Sequence, residues 1–134
     1  MKFPDVEAAL LDWLKATFAE LGDPAGELDF HVGAEMPGPG LVERLPFVWA
    51  RRVGGASTRL ADYPVVEVDT FGHARQQTYD LAQSIHVALS AAPVLAGGVV
   101  IDTIETRVAP VRRPWDNPNV RRWAATYELS VRRR

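Results

Sequence analysis

Hydrophobic and polar residues alternate most regularly over residues 120–132, VRRWAATYELSVR. Trp123, Ala125, Tyr127, Leu129 and Val131 fall on one side, and Arg122, Ala124, Thr126, Glu128 and Ser130 on the other. A period of two with aromatic and aliphatic residues on one side predicts a half-buried strand. As a terminal strand it should be paired, covered or charged, because free N–H and C=O groups recruit other chains. Arg121, Arg122 and the arginines at 132–134 read as that charge.

Two stretches repeat at three- and four-residue steps instead. Over residues 4–21, Val6, Leu10, Trp13, Leu14, Thr17, Phe18 and Leu21 make one apolar stripe. That spacing predicts an amphipathic helix, opened by Pro4, with Asp5 and Glu7 at its positive end and Gly22 as its stop. Over residues 73–92, Ala74, Thr78, Leu81, Ala82, Ile85, Ala88 and Leu89 form a second stripe, and Pro93 ends it. Arg75, Gln76, Asp80 and Gln83 make the wet side of that helix.

Further alternating runs lie between and after the helices. Residues 45–53 place Phe47, Trp49, Arg51 and Val53 on one face and Val48, Ala50 and Arg52 on the other. Residues 63–71 return with Val65, Val66 and Val68 at their centre, predicting an antiparallel hairpin whose tip is Gly54-Gly55 with residues 56–60. Residues 99–109 put Val100, Ile104 and Val108 on one face and Val99 and Ile101 on the other, with apolar content fading along the run. The segment 22–44 reads mostly as loop, with a short strand near residue 30 where Leu28, Phe30 and Val32 alternate with Asp29 and His31. Its EMPGPG run, residues 35–40, reads as unable to hold regular structure, and residues 110–119, with three prolines, read as a stiff loop that reaches a neighbouring subunit. The predicted fold class is therefore α+β in the order α-β-β-α-β-β, with two helices on one face of a mainly antiparallel sheet. The whole of residues 1–134 makes one domain, divided into the first helix (1–21), the loop (22–44) and an α+β core (45–133).

Composition sharpens this picture in two places. The chain has 134 residues, 47% hydrophobic and 24% charged, and no cysteine, which excludes disulfides, thiolate metal sites and a cysteine nucleophile. No apolar run approaches a membrane span, and the first 18 residues lack the pattern of a signal peptide, so synthesis in the cytosol is expected. The net charge of −2 hides a polarity along the chain. Residues 1–43 carry nine acids against Lys2 and Lys15, a balance of −7, while residues 107–134 carry eight arginines against Asp116 and Glu128, a balance of +6. An acidic end and a basic end suit contact between identical subunits and equally a plain solvated surface, with direct DNA binding behind both.

Catalytic chemistry finds little to work with. No phosphate-binding loop, dinucleotide fingerprint, HExxH or GxSxG motif occurs. Glu67 and Asp69, two apart on one strand, are the one carboxylate pair able to share a proton or hold a hard cation, though such pairs are more often a strand's solvent face. His31 has no second ligand at metal spacing, His73 and His86 sit on different sides of one helix, and Ser57, Thr58, Ser84 and Ser90 lack a base. The expectation is no enzyme, no cofactor and no metal. Arg112, Arg113, Trp115, Arg121 and Arg122 combine charge with an aromatic ring, a set that tracks phosphates or docks on a partner.

Several segments together carry a family resemblance: PFVWARRVGG, YPVVEVDTFG running straight into an alanine-rich helix, GGVVID, and RPWDNPNVRRWAATYELSVR. They resemble the tail terminator (tail-completion or minor tail) proteins of long-tailed bacteriophages, over roughly residues 45–133. The resemblance implies a homo-hexameric ring on the head-proximal end of the tail tube, which ends tube polymerisation and joins the tail to the head. The partners it implies are copies of the chain, the tail tube protein and the head-tail connector or stopper protein, with DNA only passing through the lumen and no membrane. It places the protein in the virion neck. The subunit-interface candidates are Arg107, Arg112, Arg113, Trp115, Arg121 and Arg122. A head-completion or stopper protein of the same neck, a small DNA-binding module and a small enzyme are the alternatives.

Overall fold

The computed structural model describes residues 3–20, 31–91, 94–96 and 99–132. Its helices are α1 (Val6–Glu20) and α2 (Arg75–Leu89), with a 3-10 helix at Gly38–Arg44. Its strands are β1 (His31–Gly33), β2 (Phe47–Ser57), β3 (Ala61–Gly72), β4 (Val94–Ala96), β5 (Val99–Arg113) and β6 (Arg121–Arg132). They make one six-stranded sheet in the order β1-β2-β3-β6-β5-β4. Every neighbouring pair is antiparallel except β1 with β2, so the sheet is mixed and the class is α+β.

Most described members of the two apolar stripes are buried where their spacing directs them, while Ala74, just before α2, is exposed. Leu10 and Leu14 of α1, and Leu81, Ile85 and Leu89 of α2, meet Val48, Ala50, Val66, Val68, Ala125, Tyr127, Leu129 and Val131 on one face of the sheet. A fully buried aliphatic side chain stabilises by about 1.5–3 kcal/mol, far more than any helix propensity in the same turn. Packing therefore fixes these helices on the sheet. Asp5 caps α1 by accepting the Ala8 N–H at 3.2 Å. At the start of α2 the strand runs straight into the helix: a Cβ on Gly72 would stand 2.2 Å from Thr78 Oγ1, which donates to the Ala74 carbonyl at 2.6 Å. Only glycine admits that junction.

Several expectations need correcting. The final strand is not an edge: β6 lies between β3 and β5, paired on both sides, so Arg121 and Arg122 are not needed to blunt it. Gly54 and Gly55 are not a tip; β2 passes through them, with a bulge at Val53, and the turn is at residues 58–60. Gly55 sits at φ +115°, which keeps the pairing with Pro64 close. Residues 110–113 are not loop, because β5 continues to Arg113 opposite Arg122. Gly38, Pro39 and Gly40 open the 3-10 helix, anchored by buried Leu41, despite the breakers around them.

A bulge at Asp102 also turns β5 over. Ile101 faces Val131, and Ile104, expected on the other side, faces Leu129 toward the same core. An extra residue in one strand reverses every face after it. The short strand near residue 30 is β1, parallel to β2; its proposed residues Leu28 and Phe30, like the stripe residue Leu21, the stops at Gly22 and Pro93 and the Gly97-Gly98 turn, lie outside the described residues. β4 has no counterpart among the predicted elements. Among the described residues no helix is long and apolar enough to cross a membrane.

Candidate interaction surface

The face of the sheet away from the helices carries a second, smaller core and a charged network. Leu41, Phe47, Phe71 and Val120 are buried there, with Met36, Leu45, Trp49 and Trp115 packed against them. The Trp49 indole N–H donates to the Ala34 carbonyl at 2.9 Å, pinning the segment before the 3-10 helix. Trp115 stands edge-on to Phe71 with ring centroids 4.9 Å apart, so the loop after β5 is folded inward onto this core.

Next to that core, Glu67 and Asp69 share a face, as their spacing requires, and arginines from two neighbouring strands meet them. Arg51 of β2 bonds Glu67 at 2.7 Å and approaches Asp69 at 3.5 Å, with its guanidinium 3.5 Å over the Trp49 ring. Arg122 of β6 donates to Asp69 Oδ2 through Nε at 3.1 Å and Nη2 at 2.7 Å, and stands 3.8 Å from Glu67. Two cations and two anions thus cancel across three strands. Asp69 is fully buried and its Oδ1 has no partner among the described residues. Burial pushes its carboxyl above the ordinary range, helped by the Glu67 charge and opposed by Arg122 and Arg51. Through Glu67 Oε2 and Asp69 Oδ2 these carboxylates tie β3 to the guanidinium groups of β2 and β6. Among the described residues no group of three metal-ligating side chains comes together.

Asp62, Tyr127 and His86 are also engaged in structure. Arg52 clamps the buried Asp62 carboxylate at 2.7 and 3.0 Å, with Ser57 donating at 2.6 Å. Burial alone would raise the Asp62 pKa, but these bonds outweigh it and hold the group below its ordinary value. Tyr127 and His86 Nδ1 lie 2.8 Å apart, and burial drives the Tyr127 hydroxyl's pKa up, so it stays protonated. His73 is exposed, and the His31 side chain lies outside the described residues.

The six interface candidates separate by what they touch. Arg107, bulged out of the β5–β6 ladder, forms an ion pair with Glu128. Arg122 belongs to the four-charge network, and Trp115 to the small core. Arg121 donates to the Pro118 carbonyl at 2.7 Å and has no carboxylate partner among the described residues. Arg112 and Arg113 are exposed and have no acidic partner among the described residues. Arg112, Arg113, Arg121 and Arg122 line one open cleft of about 460 Å³ with Pro114, Trp115, Pro118 and Val120. Spacing in the sequence does not bring these four together; the β5–β6 register does, by setting Arg113 directly across from Arg122.

Sequence reasoning misses two features of this face. Arg51 reads only as one side of a strand, although its partner Glu67 follows from the hairpin register once the turn is placed at residues 58–60. The edge of β5 beyond Ile101, beside which no strand lies among the described residues, is hidden because residues 110–113 read as loop. No family model matches the chain, and no curated protein matches it.

Proposed function

We propose that this chain is a structural virion subunit that assembles with copies of itself into a ring at the head-proximal end of a bacteriophage tail tube. There it ends tube polymerisation and joins the tail to the head connector. The tail-specific part rests on the resemblance carried by residues 45–133. One observation supports the self-association. Residues 102–113 of β5 form a sheet edge with no strand outside them among the described residues, because β4 pairs only with Val99, Val100 and Ile101. On that edge Val108 and Val111 are 39% and 42% exposed.

The direction of the strands favours a ring over a dimer. A ring needs heterologous contacts, one patch against a different patch. Among the described residues β1 covers only the first three residues of β2, so most of β2 has no strand beside it on that side, although Glu7 of α1 accepts the Arg52 N–H at 2.9 Å. β2 runs opposite to β5. Setting β5 of one copy beside β2 of the next therefore keeps the antiparallel alternation under a simple rotation about an axis along the strands. All copies then point the same way, as subunits seated on the end of a tube must. Pairing β5 with itself gives an isologous dimer that stops at two. Bulges at Asp102, at Arg107 and between Val108 and Val111, together with Pro110, break the edge into short pieces. Contact there runs through side chains such as Val108 and Val111 rather than through one long ladder.

Light scattering on the Val108→Asp/Val111→Asp variant tests this. Both side chains are exposed, so the thermal midpoint should stay within a few degrees while assembly is lost to the 14.8 kDa subunit. A variant that assembles like the parent removes the β5 edge from the contact.

A further inference from the structure

We infer that the cleft framed by Arg112, Arg113, Arg121 and Arg122 binds the phosphodiester backbone of a nucleic acid without reading its bases. The inference does not depend on the ring. Its first support is charge: among the described residues no carboxylate lines the cleft. Glu67 and Asp69 are consumed by Arg51 and Arg122, which leaves Arg112, Arg113 and Arg121 uncompensated. Arg113 stands across from Arg122, whose own charge Asp69 and Glu67 already answer, so the charge left for an anion is that of Arg112, Arg113 and Arg121.

Its second support is rigidity. Pro114 and Pro118 stiffen the loop, the Asn117 carbonyl accepts the Val120 N–H at 3.1 Å, and Asn117 Oδ1 accepts the Asn119 N–H at 2.9 Å. Trp115 anchors the loop on Phe71. The arginines are thus presented from a fixed frame, and little ordering entropy is lost on binding. Guanidinium forks match phosphate oxygens, and a backbone that repeats its charge along a line engages several arginines at once. Base stacking is not offered, because the Trp115 ring is occupied by Phe71 on its edge and by the Arg122 guanidinium 5.3 Å from its centroid. Binding should therefore be indifferent to sequence and steep in salt.

Fluorescence anisotropy with two short labelled duplexes of unrelated sequence, from about 50 to about 200 mM salt, reads this directly. Three phosphate contacts predict a log–log slope of about −2.7, the same for both duplexes. Arg112→Ala/Arg113→Ala should bring it to about −0.9, whereas Lys15→Ala, exposed on α1, should leave it unchanged. Matching thermal midpoints show that the variants are folded. The inference is overturned if neither duplex binds at the lowest salt, or if the double arginine variant keeps the parental slope. It is also overturned if polyglutamate competes as well as duplex, which marks an acidic protein partner, or if inorganic triphosphate binds as tightly, which marks a small phosphate ligand. Light scattering in the same buffer keeps the two readings apart. A ring that ignores DNA sinks only this inference, and a monomer that binds DNA sinks only the ring.

Discussion

Asp69→Asn probes the charged network on the open face, where two opposing effects predict different outcomes. The substitution keeps the shape and removes one negative charge between Arg51 and Arg122. Arg122 makes two bonds to Asp69 Oδ2, at 2.7 and 3.1 Å. Arg122 stays charged, so both bonds to an amide oxygen remain charge-assisted and each loses only part of the about 1.5–3 kcal/mol that such a bond contributes. Against this, the amide carries no buried charge and feels no repulsion from Glu67. Because burial outweighs the arginines for this group, Asp69→Asn should change stability by less than about 1 kcal/mol at neutral pH, whereas Asp69→Ala, which leaves the arginines facing a gap, should lose about 3–5 kcal/mol. The sign of the pH dependence decides which effect dominates. Burial raises the folded-state pKa of Asp69 above its ordinary 3.8, so the native state binds the proton more tightly than the unfolded chain. The parent protein therefore gains stability from this group as pH falls toward about 4, while the amide variant does not. Urea denaturation of both proteins from pH 7 to pH 4, dilute enough that assembly does not contribute, should show the cost of Asp69→Asn growing on acidification. A cost that shrinks instead would mean that arginine attraction outweighs burial, and the reasoning would be refuted.

Two further outcomes follow from neighbouring geometry. Gly55→Ala should cost at least about 1–3 kcal/mol by denaturant midpoint, because its φ of +115° is strained for any side chain and the new Cβ would stand 2.2 Å from the Tyr63 carbonyl oxygen. Gly54→Ala, with no atom within 4 Å of the new Cβ, is the control and should change stability by less than about 0.5 kcal/mol. Asp62, held below its ordinary pKa of 3.8 by Arg52 and Ser57, supplies stability that is complete above that value and lost as pH falls through the folded pKa. Asp62→Asn should accordingly be less stable near neutrality and flatter below about pH 4; an unchanged acid limb would show that the Arg52 clamp contributes nothing.

The parts of the fold legible in the sequence are those where one periodicity runs unbroken. β6 keeps its period of two from Trp123 to Val131, and its odd positions are all buried. The stripes of α1 and α2 are equally regular. Prediction fails where a local signal competes with tertiary pairing. Gly54-Gly55 is a strong turn signal, yet pairing with β3 carries β2 through it, and the positive φ of Gly55 serves the ladder instead of a turn. Pro110 suggests loop, but a proline is tolerated on an edge strand, and β6 holds β5 in place up to Arg113. The Asp102 bulge leaves no mark in composition, so the facing of Ile104 is not readable. The arginines of the interaction surface are visible one by one; their division into paired and unpaired charges depends on the register of three strands.

The central claim is that the chain's exposed surface is directed at copies of itself. Light scattering on the wild-type protein across a wide concentration range tests it most directly. A mass that rises from the 14.8 kDa subunit to a fixed small multiple and stops there is the predicted result, with closed rings in electron micrographs of the same sample. A mass that stays at the single subunit throughout would contradict it.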